Sequence, residues 1–245
     1  MSATPLTARG KEIRRKVIEL AQANGGYHFG GSFSVVEILL AYFAKRSPND
    51  ELVLSKGHGC WPLYVILREL GLNPVLEGHP RRDPANGISY TTGSLGHGLP
   101  AAAGMAMARK LNNSPGRIVA VLGEGDVQEG TFWESLLIAG HHNLRNLTAV
   151  VDLNRVQGSG MVNDILPVYL PACSAAESAG WLIEVEDGHD QQMMERVIFQ
   201  WSTQPQLIMA HTIKGRGVSF MENEPAWHAH GLDPVQTSKA MEELK

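Results

Sequence analysis

Glu124 stands between Gly123 and Gly125 at the end of the apolar run "RIVAVLG", and Asn154 closes the next such run, "LTAVVDLN", thirty positions later. A carboxylate, an amide oxygen and nearby backbone carbonyls are hard oxygen donors, suited to Mg²⁺ or Ca²⁺ rather than to zinc. The flanking glycines let a phosphate approach the backbone, and the helix start behind the turn offers free N–H groups. Together these residues point to a divalent cation bridging a diphosphate.

Four further turns each carry a histidine beside glycine or at an element boundary: His28 in "GGYHFGGS", His58 in "SKGHG", His79 in "EGHPRR" and His228 in "PAWHAHG". Neutral imidazoles around a bound molecule can move protons between carbonyl and hydroxyl oxygens near neutral pH. His141, His142 and His189 read instead as hydrogen-bonded structural residues, His211 as a strand-end cap, and His230 ranks behind His228.

The elements that must position these residues alternate. "TARGKEIRRKVIELAQANGG" predicts an amphipathic helix with Ile13, Val17, Ile18 and Ala21 on one face, and "SFSVVEILLAYFAKR" a second helix. "ELVLSKGHG" predicts a strand and turn, "CWPLYVILRELG" a helix, and "GSLGHGLPAAAGMAMARKL" a glycine-rich turn feeding a helix. Then follow strand "RIVAVLG", helix "GTFWESLLIAGHHN", strand "LTAVVDL", short helix "SAAESAG", strand "WLIEVE", helix "DQQMMERVIFQWS" and strand "PQLIMAHTI". Nearly continuous apolar strands separated by helices predict an α/β fold: a parallel sheet with helices on both faces. Ligands of such sheets bind beyond the carboxyl ends of the strands, where Glu124 and Asn154 both fall.

The whole chain bounds the rest. At 245 residues, 43% hydrophobic and 19% charged, it suits one large α/β domain over 1–245. A net charge of −4 gives no broad attraction to nucleic acid or anionic membrane, so a phosphate-bearing ligand needs a local site. No stretch has membrane-spanning length, no signal core opens the chain, and Cys60 and Cys173 make neither a disulfide framework nor a zinc site. A cytoplasmic location is expected.

The run from Val121 to Gly160 resembles the thiamine diphosphate motif of transketolases, Gly-Asp-Gly followed one helix later by Asn. The resemblance implies a thiamine diphosphate-binding (PP-type) fold, with the cation held by Glu124, Asn154 and the backbone carbonyl of Val156. The two acids of the motif are exchanged, Gly-Glu-Gly-Asp standing for Gly-Asp-Gly-Glu. Either Glu124 reaches the cation from a slightly receded turn, or Asp126 contributes, or the site takes Ca²⁺ in place of Mg²⁺; Glu124 is the expected ligand. Gly123, Gly125 and Asp126 are expected beside the cofactor.

The likeness runs along nearly the whole chain. "GGYHFGGSF" resembles Gly-His-Pro-Gly-Gly-Ser, with Phe29 for the Pro, and puts His28 on the substrate side. "LSKGHG" places His58 in the cofactor and substrate channel, and "GHP" makes His79 a further active-site histidine. "TTGSLGHG" sets Gly93, Ser94, Leu95 and Gly96 against the aminopyrimidine or diphosphate, and "KGRG…WHAHG" sets His228 over the diphosphate. Glu129 and Glu134 match acids at a subunit contact.

The resemblance also implies a partner. In this family a glutamate that activates the aminopyrimidine comes from a second domain, for which the 245 residues hold no counterpart. The expected protein is therefore the diphosphate-binding subunit of a split transketolase. It would be completed by a C-terminal subunit carrying the activating Glu, in an α2β2 assembly, and would act on a small sugar. A 2-oxo-acid dehydrogenase α-chain, a deoxyxylulose-phosphate-synthase-like acyl transferase and a non-catalytic relic are the alternatives.

Overall fold

The computed structural model describes residues 4–245. The five expected strands form one parallel sheet: β1 (Glu51–Leu54), β2 (Ile118–Gly123), β3 (Leu147–Leu153), β6 (Leu182–Asp187) and β7 (Gln206–His211), in the order β1-β2-β3-β7-β6. β4 (Val156–Gln157) and β5 (Gly160–Met161) make a separate antiparallel hairpin just beyond β3. Helices α1 (Ala8–Ala23), α3 (Val36–Lys45), α4 (Trp61–Glu69) and α10 (Gln191–Phe199) cover one face. Helices α5 (Gly98–Leu111), α7 (Gly130–His141) and α9 (Tyr169–Ser178) cover the other.

Alternation along each strand feeds two cores. Val119, Val121, Val150, Ile208 and Ala210 pack into the first, and Ile118, Ala120, Leu122, Ala149, Val151, Leu207 and Met209 into the second. All of these side chains are 0% exposed, and each fully buried Val, Ile or Leu contributes about 1.5–3 kcal/mol. The chain winds outward from β1 to β3, continues to β6 at the far edge, and then steps back to β7. A right-handed crossover in the reverse direction must lie on the opposite face, which is where α10 sits. The reversal sets the carboxyl ends of β3 and β7 side by side.

Three elements differ from the sequence reading. The helix expected over 32–46 is two helices, α2 (Phe29–Ser34) and α3, broken at Val35. The Ser34 hydroxyl donates to the Gly31 carbonyl and to the Asp152 carboxylate rather than facing solvent, a local bond that competes with the helical ladder. The helix expected at "SAAESAG" starts earlier, at Tyr169, because Pro171 falls in the first turn, where its missing N–H costs nothing. Helix α11 (Pro234–Glu243) lies outside the expected elements, although Asp233 caps it and Gln236 closes a capping box. Two single-turn helices, α6 (Glu124–Val127) and α8 (Val162–Ile165), flank the binding edge.

Helix α7 meets the end of α9 through Gly140, where an added Cβ would lie 1.8 Å from the Ala179 carbonyl oxygen. Gly140→Ala is therefore expected to lose about 1–3 kcal/mol, read as a lower denaturant midpoint. Gly104→Ala on α5, where an added Cβ meets nothing within 4 Å, is expected to hold or raise the midpoint.

Candidate cofactor and active site

A cavity at the carboxyl ends of β1, β2, β3 and β7 is lined by Glu124, Asn154, Val156, His58, His228 and Leu95, with Gly123, Gly125 and Asp126 in the same wall. Sequence-distant turns converge there for a definable reason. At the end of β3, the Asp152 carboxylate is wholly buried and accepts hydrogen bonds from four chain segments. Its donors are the Lys56 ammonium beyond β1, the Ser34 hydroxyl of α2 at 2.7 Å, the Thr212 hydroxyl beyond β7, and the Asn154 amide at 3.0 Å. Lys56 also donates to the Gly31 carbonyl at 2.9 Å. Asp152 is held below the usual carboxylate range because Lys56 and these hydroxyls outweigh the burial that opposes ionisation.

With its NH₂ held by Asp152, the Asn154 side chain presents its oxygen on the other side, where it accepts the Val156 N–H at 3.1 Å. Arg155, between them, sits in the left-handed region at φ 65° and aims its N–H at the Glu124 carboxylate. Burial pushes Glu124 up to about 7 against that N–H bond, and the Asp152 charge adds to the rise. The Val156 carbonyl accepts the Lys214 ammonium at 3.0 Å. A cationic nitrogen thus already rests on the carbonyl beside Glu124 and Asn154.

This donor set of one carboxylate, one amide oxygen and one carbonyl fits a hard divalent cation. Among the described residues no three His, Cys, Asp or Glu side chains form a metal cluster, and a site of this kind requires none. The diphosphate side fits as well. Lys214, 1% exposed, brings an ammonium group to the cavity, and Lys56, 2% exposed, adds its charge to the wall while its own N–H bonds go to Asp152, Gly31 and Ser34. Burial and the neighbouring Lys56 pull Lys214 down to about 7. A bound polyanion would remove that strain.

Asp126 contributes differently from a ligand. Its Oδ1 accepts the Ser55 hydroxyl and the Gly96 N–H, both at 2.8 Å, and its Oδ2 accepts the Gly123 N–H at 2.8 Å. It pins the 93–96 turn to the Gly123 turn. Of that first turn, Leu95 lines the cavity beside Gly125; Gly93, Ser94 and Gly96 do not, and the Ser94 hydroxyl pairs with His97 Nδ1 at 3.0 Å.

The four histidines meet. The His28 ring centroid lies 5.6 Å from His58, 6.3 Å from His79 and 5.7 Å from His228, and His58 lies 5.0 Å from His228. His28 reaches this position from a left-handed backbone at φ 68° immediately before α2. Gly31 leaves room for the His58 ring, since a Cβ there would lie 2.9 Å from its Cδ2 and Nε2. His228 Nδ1 lies 3.1 Å from Lys214 Nζ. Burial, with the charges of His79 and Lys214, pulls His28 down to about 4. Burial with Lys214 and His28 does the same for His228, and burial with Lys56 holds His58 well below its ordinary value. All three are neutral near pH 7.

Sequence reasoning passed over both lysines, although each directly precedes a glycine at the carboxyl end of a strand, in "SKGHG" and "KGRG". It also passed over the support of Lys214. Arg14 pairs with both oxygens of Glu37, at 2.6 and 2.8 Å, and Glu37 accepts His189 Nδ1–H at 2.9 Å. His189 Nε2 then accepts the Ile213 N–H at 2.9 Å, which fixes the backbone one residue before Lys214. The structure therefore gives His189 a buried structural role.

A family profile described as "Transketolase, thiamine diphosphate binding domain" matches residues 11–244. The chain belongs to the transketolase family. It is 33% identical over 270 residues to an apulose-4-phosphate transketolase subunit of Actinobacillus succinogenes, covering 100% of this chain and 98% of that one. It is 34% identical to a 6-deoxy-6-sulfo-D-fructose transketolase subunit of Clostridium sp., covering 95% of this chain and 94% of that one. Against the transketolase of Rattus norvegicus the identity is 34%, over 95% of this chain but only 41% of the rat protein. The transketolase structure from Campylobacter jejuni superposes with a TM-score of 0.84 at 28% identity, over 97% of this chain and 42% of that one. The chain thus spans about two-fifths of these single-chain transketolases and nearly all of the separate subunits. The sheet with helices on both faces is the thiamine diphosphate-binding fold of transketolases, and transketolases are transferases. Among the described residues no helix is long and apolar enough to cross a membrane.

The neutral histidines give a pH test on the free chain. His28 and His228 resist protonation until about pH 4 when folded but take a proton near 6.5 when unfolded. Acid therefore favours the unfolded chain: their contribution is whole above about pH 6.5 and declines as pH falls toward 4. Denaturant midpoints measured across that window are expected to fall, and to fall less steeply in a His28→Gln, His228→Gln double variant.

Proposed function

We propose that this chain is the diphosphate-binding subunit of a two-chain transketolase that moves a two-carbon ketol unit from a ketose or ketose phosphate to an aldehyde acceptor. The observation that carries the reading is the junction of Glu124, Asn154 and the Val156 carbonyl with two buried lysines and a neutral histidine cluster, all at one sheet edge. Glu124, Asn154 and Val156 would hold Mg²⁺, with Ca²⁺ tolerated because the longer Glu124 side chain relaxes the geometry. Lys214 and His228 would hold the diphosphate, Lys56 would add only its charge, and Leu95 with its turn would meet the ring end of the cofactor.

When bound, thiamine diphosphate supplies a nucleophilic carbon and a sink for the charge that carbon–carbon cleavage leaves behind. This chain's part is to bind, orient and move protons. His28, His58 and His228, held neutral, would with His79 donate to and accept from the substrate's carbonyl and hydroxyl oxygens. A C-terminal partner subunit would complete the cofactor site with the activating Glu, in an α2β2 assembly of the cytoplasm. The separate-subunit relatives covered almost end to end support that division. The substrates in their names, apulose 4-phosphate and 6-deoxy-6-sulfo-D-fructose, support a ketose or ketose derivative as donor.

Calorimetric titration of thiamine diphosphate into the co-purified complex, with Mg²⁺ or Ca²⁺, is expected to show saturable, cation-dependent binding that Glu124→Ala abolishes. Two-carbon transfer from a ketose should require both chains. Binding that is indifferent to the cation and to Glu124 would reject the metal assignment.

A further inference from the structure

At an Asn-Gly step the glycine amide nitrogen can attack the asparagine side chain with no Cβ in the way. The chain has two such steps, Asn24-Gly25 and Asn86-Gly87. Their surroundings differ in the features that govern the attack.

Asn24 closes the C-terminal end of α1 and is exposed, as is Gly25. Among the described residues its side chain makes one hydrogen bond, from Nδ2–H to the Leu20 carbonyl at 2.8 Å. Gly25 is left-handed at φ 67°, and a Cβ added there would meet nothing within 4 Å. The turn is a Schellman motif, in which the Gly26 N–H donates to the Ala21 carbonyl at 2.7 Å and the Gly25 N–H to the Gln22 carbonyl at 3.4 Å. The attacking nitrogen is thus held by the longer of the two bonds, at a helix end that frays. Asn86 is tied at both side-chain atoms: Oδ1 accepts the Asn73 N–H at 2.9 Å, and Nδ2 donates to Asp83 at 2.7 Å. Gly87 beside it is enclosed, since a Cβ there would fall 2.6 Å from Leu67 Cδ2.

We propose that Asn24 is a spontaneous modification site, cyclising onto Gly25 and opening to aspartate or isoaspartate, and that the product bears on His28. The Gly25 nitrogen bonds to the Asn24 Cγ, the Cγ–Nδ2 bond breaks, and ammonia leaves with the amide proton. Water then adds to either carbonyl of the cyclic imide, leaving a carboxylate where the carboxamide stood. The new carboxylate loses the bond to Leu20 and meets the negative end of the α1 dipole. Isoaspartate also lengthens the backbone by a methylene, just before a tight anchor. Gly26 leaves no room for a side chain beside the Trp61 ring, and Trp61 Nε1–H donates to the Tyr27 carbonyl at 3.1 Å. His28 follows at once, in its left-handed conformation. A change at Asn24 therefore reaches the residue that touches the other three histidines.

The full chain, native and guanidinium-unfolded, is incubated in mildly alkaline buffer and mapped by peptide mass spectrometry, with Asn24→Gln alongside. In the native chain Asn24 is expected to convert about tenfold or more faster than Asn86, and unfolding to bring the two rates together. The separated modified chain should show displaced His28 imidazole resonances, and Asn24→Gln no displacement after the same incubation. Native Asn24 persisting while the unfolded chain converts would overturn the proposal, as would Asn24 and Asn86 converting alike in the native chain. Unmoved His28 resonances in the modified chain would overturn the link to the histidine cluster. None of these results bears on the thiamine diphosphate reading, which rests on other residues.

Discussion

A carboxylate with no exposure to water must be matched in charge and in hydrogen bonds, and Asp152 imposes that constraint on the whole binding edge. Lys56 supplies the charge, and Ser34, Thr212 and Asn154 supply the remaining bonds. These partners come from beyond β1, from α2, from beyond β7 and from beyond β3. One buried anion thereby sets the mutual position of the loops that carry His58, His28, Lys214 and Asn154. Removing one partner of such a buried pair typically costs about 3–5 kcal/mol.

The hub orients chemistry as well as structure. Asp152 decides which end of the Asn154 amide faces the cavity, and the Arg14–Glu37–His189 relay decides where the backbone before Lys214 runs. Between these two supports, the Lys214 ammonium rests on the Val156 carbonyl and lies close enough to Glu124 for their charges to interact. The free chain thus stabilises its cation-seeking oxygens with a side chain whose own preferred partner would be a phosphate. Were a cation held by the Val156 carbonyl, Lys214 would be free to pair with a diphosphate.

Much of this was legible in the sequence because the determinants were local. All five sheet strands and most flanking helices follow from apolar periodicity, and the glycine turns bearing His28, His58, His79 and His228 mark positions that the fold does bring together. What escaped was set by distant partners. The helix break at Val35 falls where Ser34 bonds to a carboxylate 118 positions away. Asp126 is one of the alternatives the exchanged acids leave open beside Glu124, yet Ser55 and Gly96 across the site occupy it. Lys56 and Lys214 sit in motifs whose histidines and glycines carry the local signal, and their burial follows only once β1, β3 and β7 lie side by side.

A divalent cation on the Val156 carbonyl would have to displace the Lys214 ammonium that rests there in the free chain. The most direct test is a crystal structure of the complex with thiamine diphosphate and Mn²⁺, the ion located by its anomalous scattering. Mn²⁺ is expected on Glu124, Asn154 and the Val156 carbonyl, with Lys214 moved onto the diphosphate. An ion bound without Glu124, or Lys214 still on the Val156 carbonyl with the cofactor in place, would contradict it.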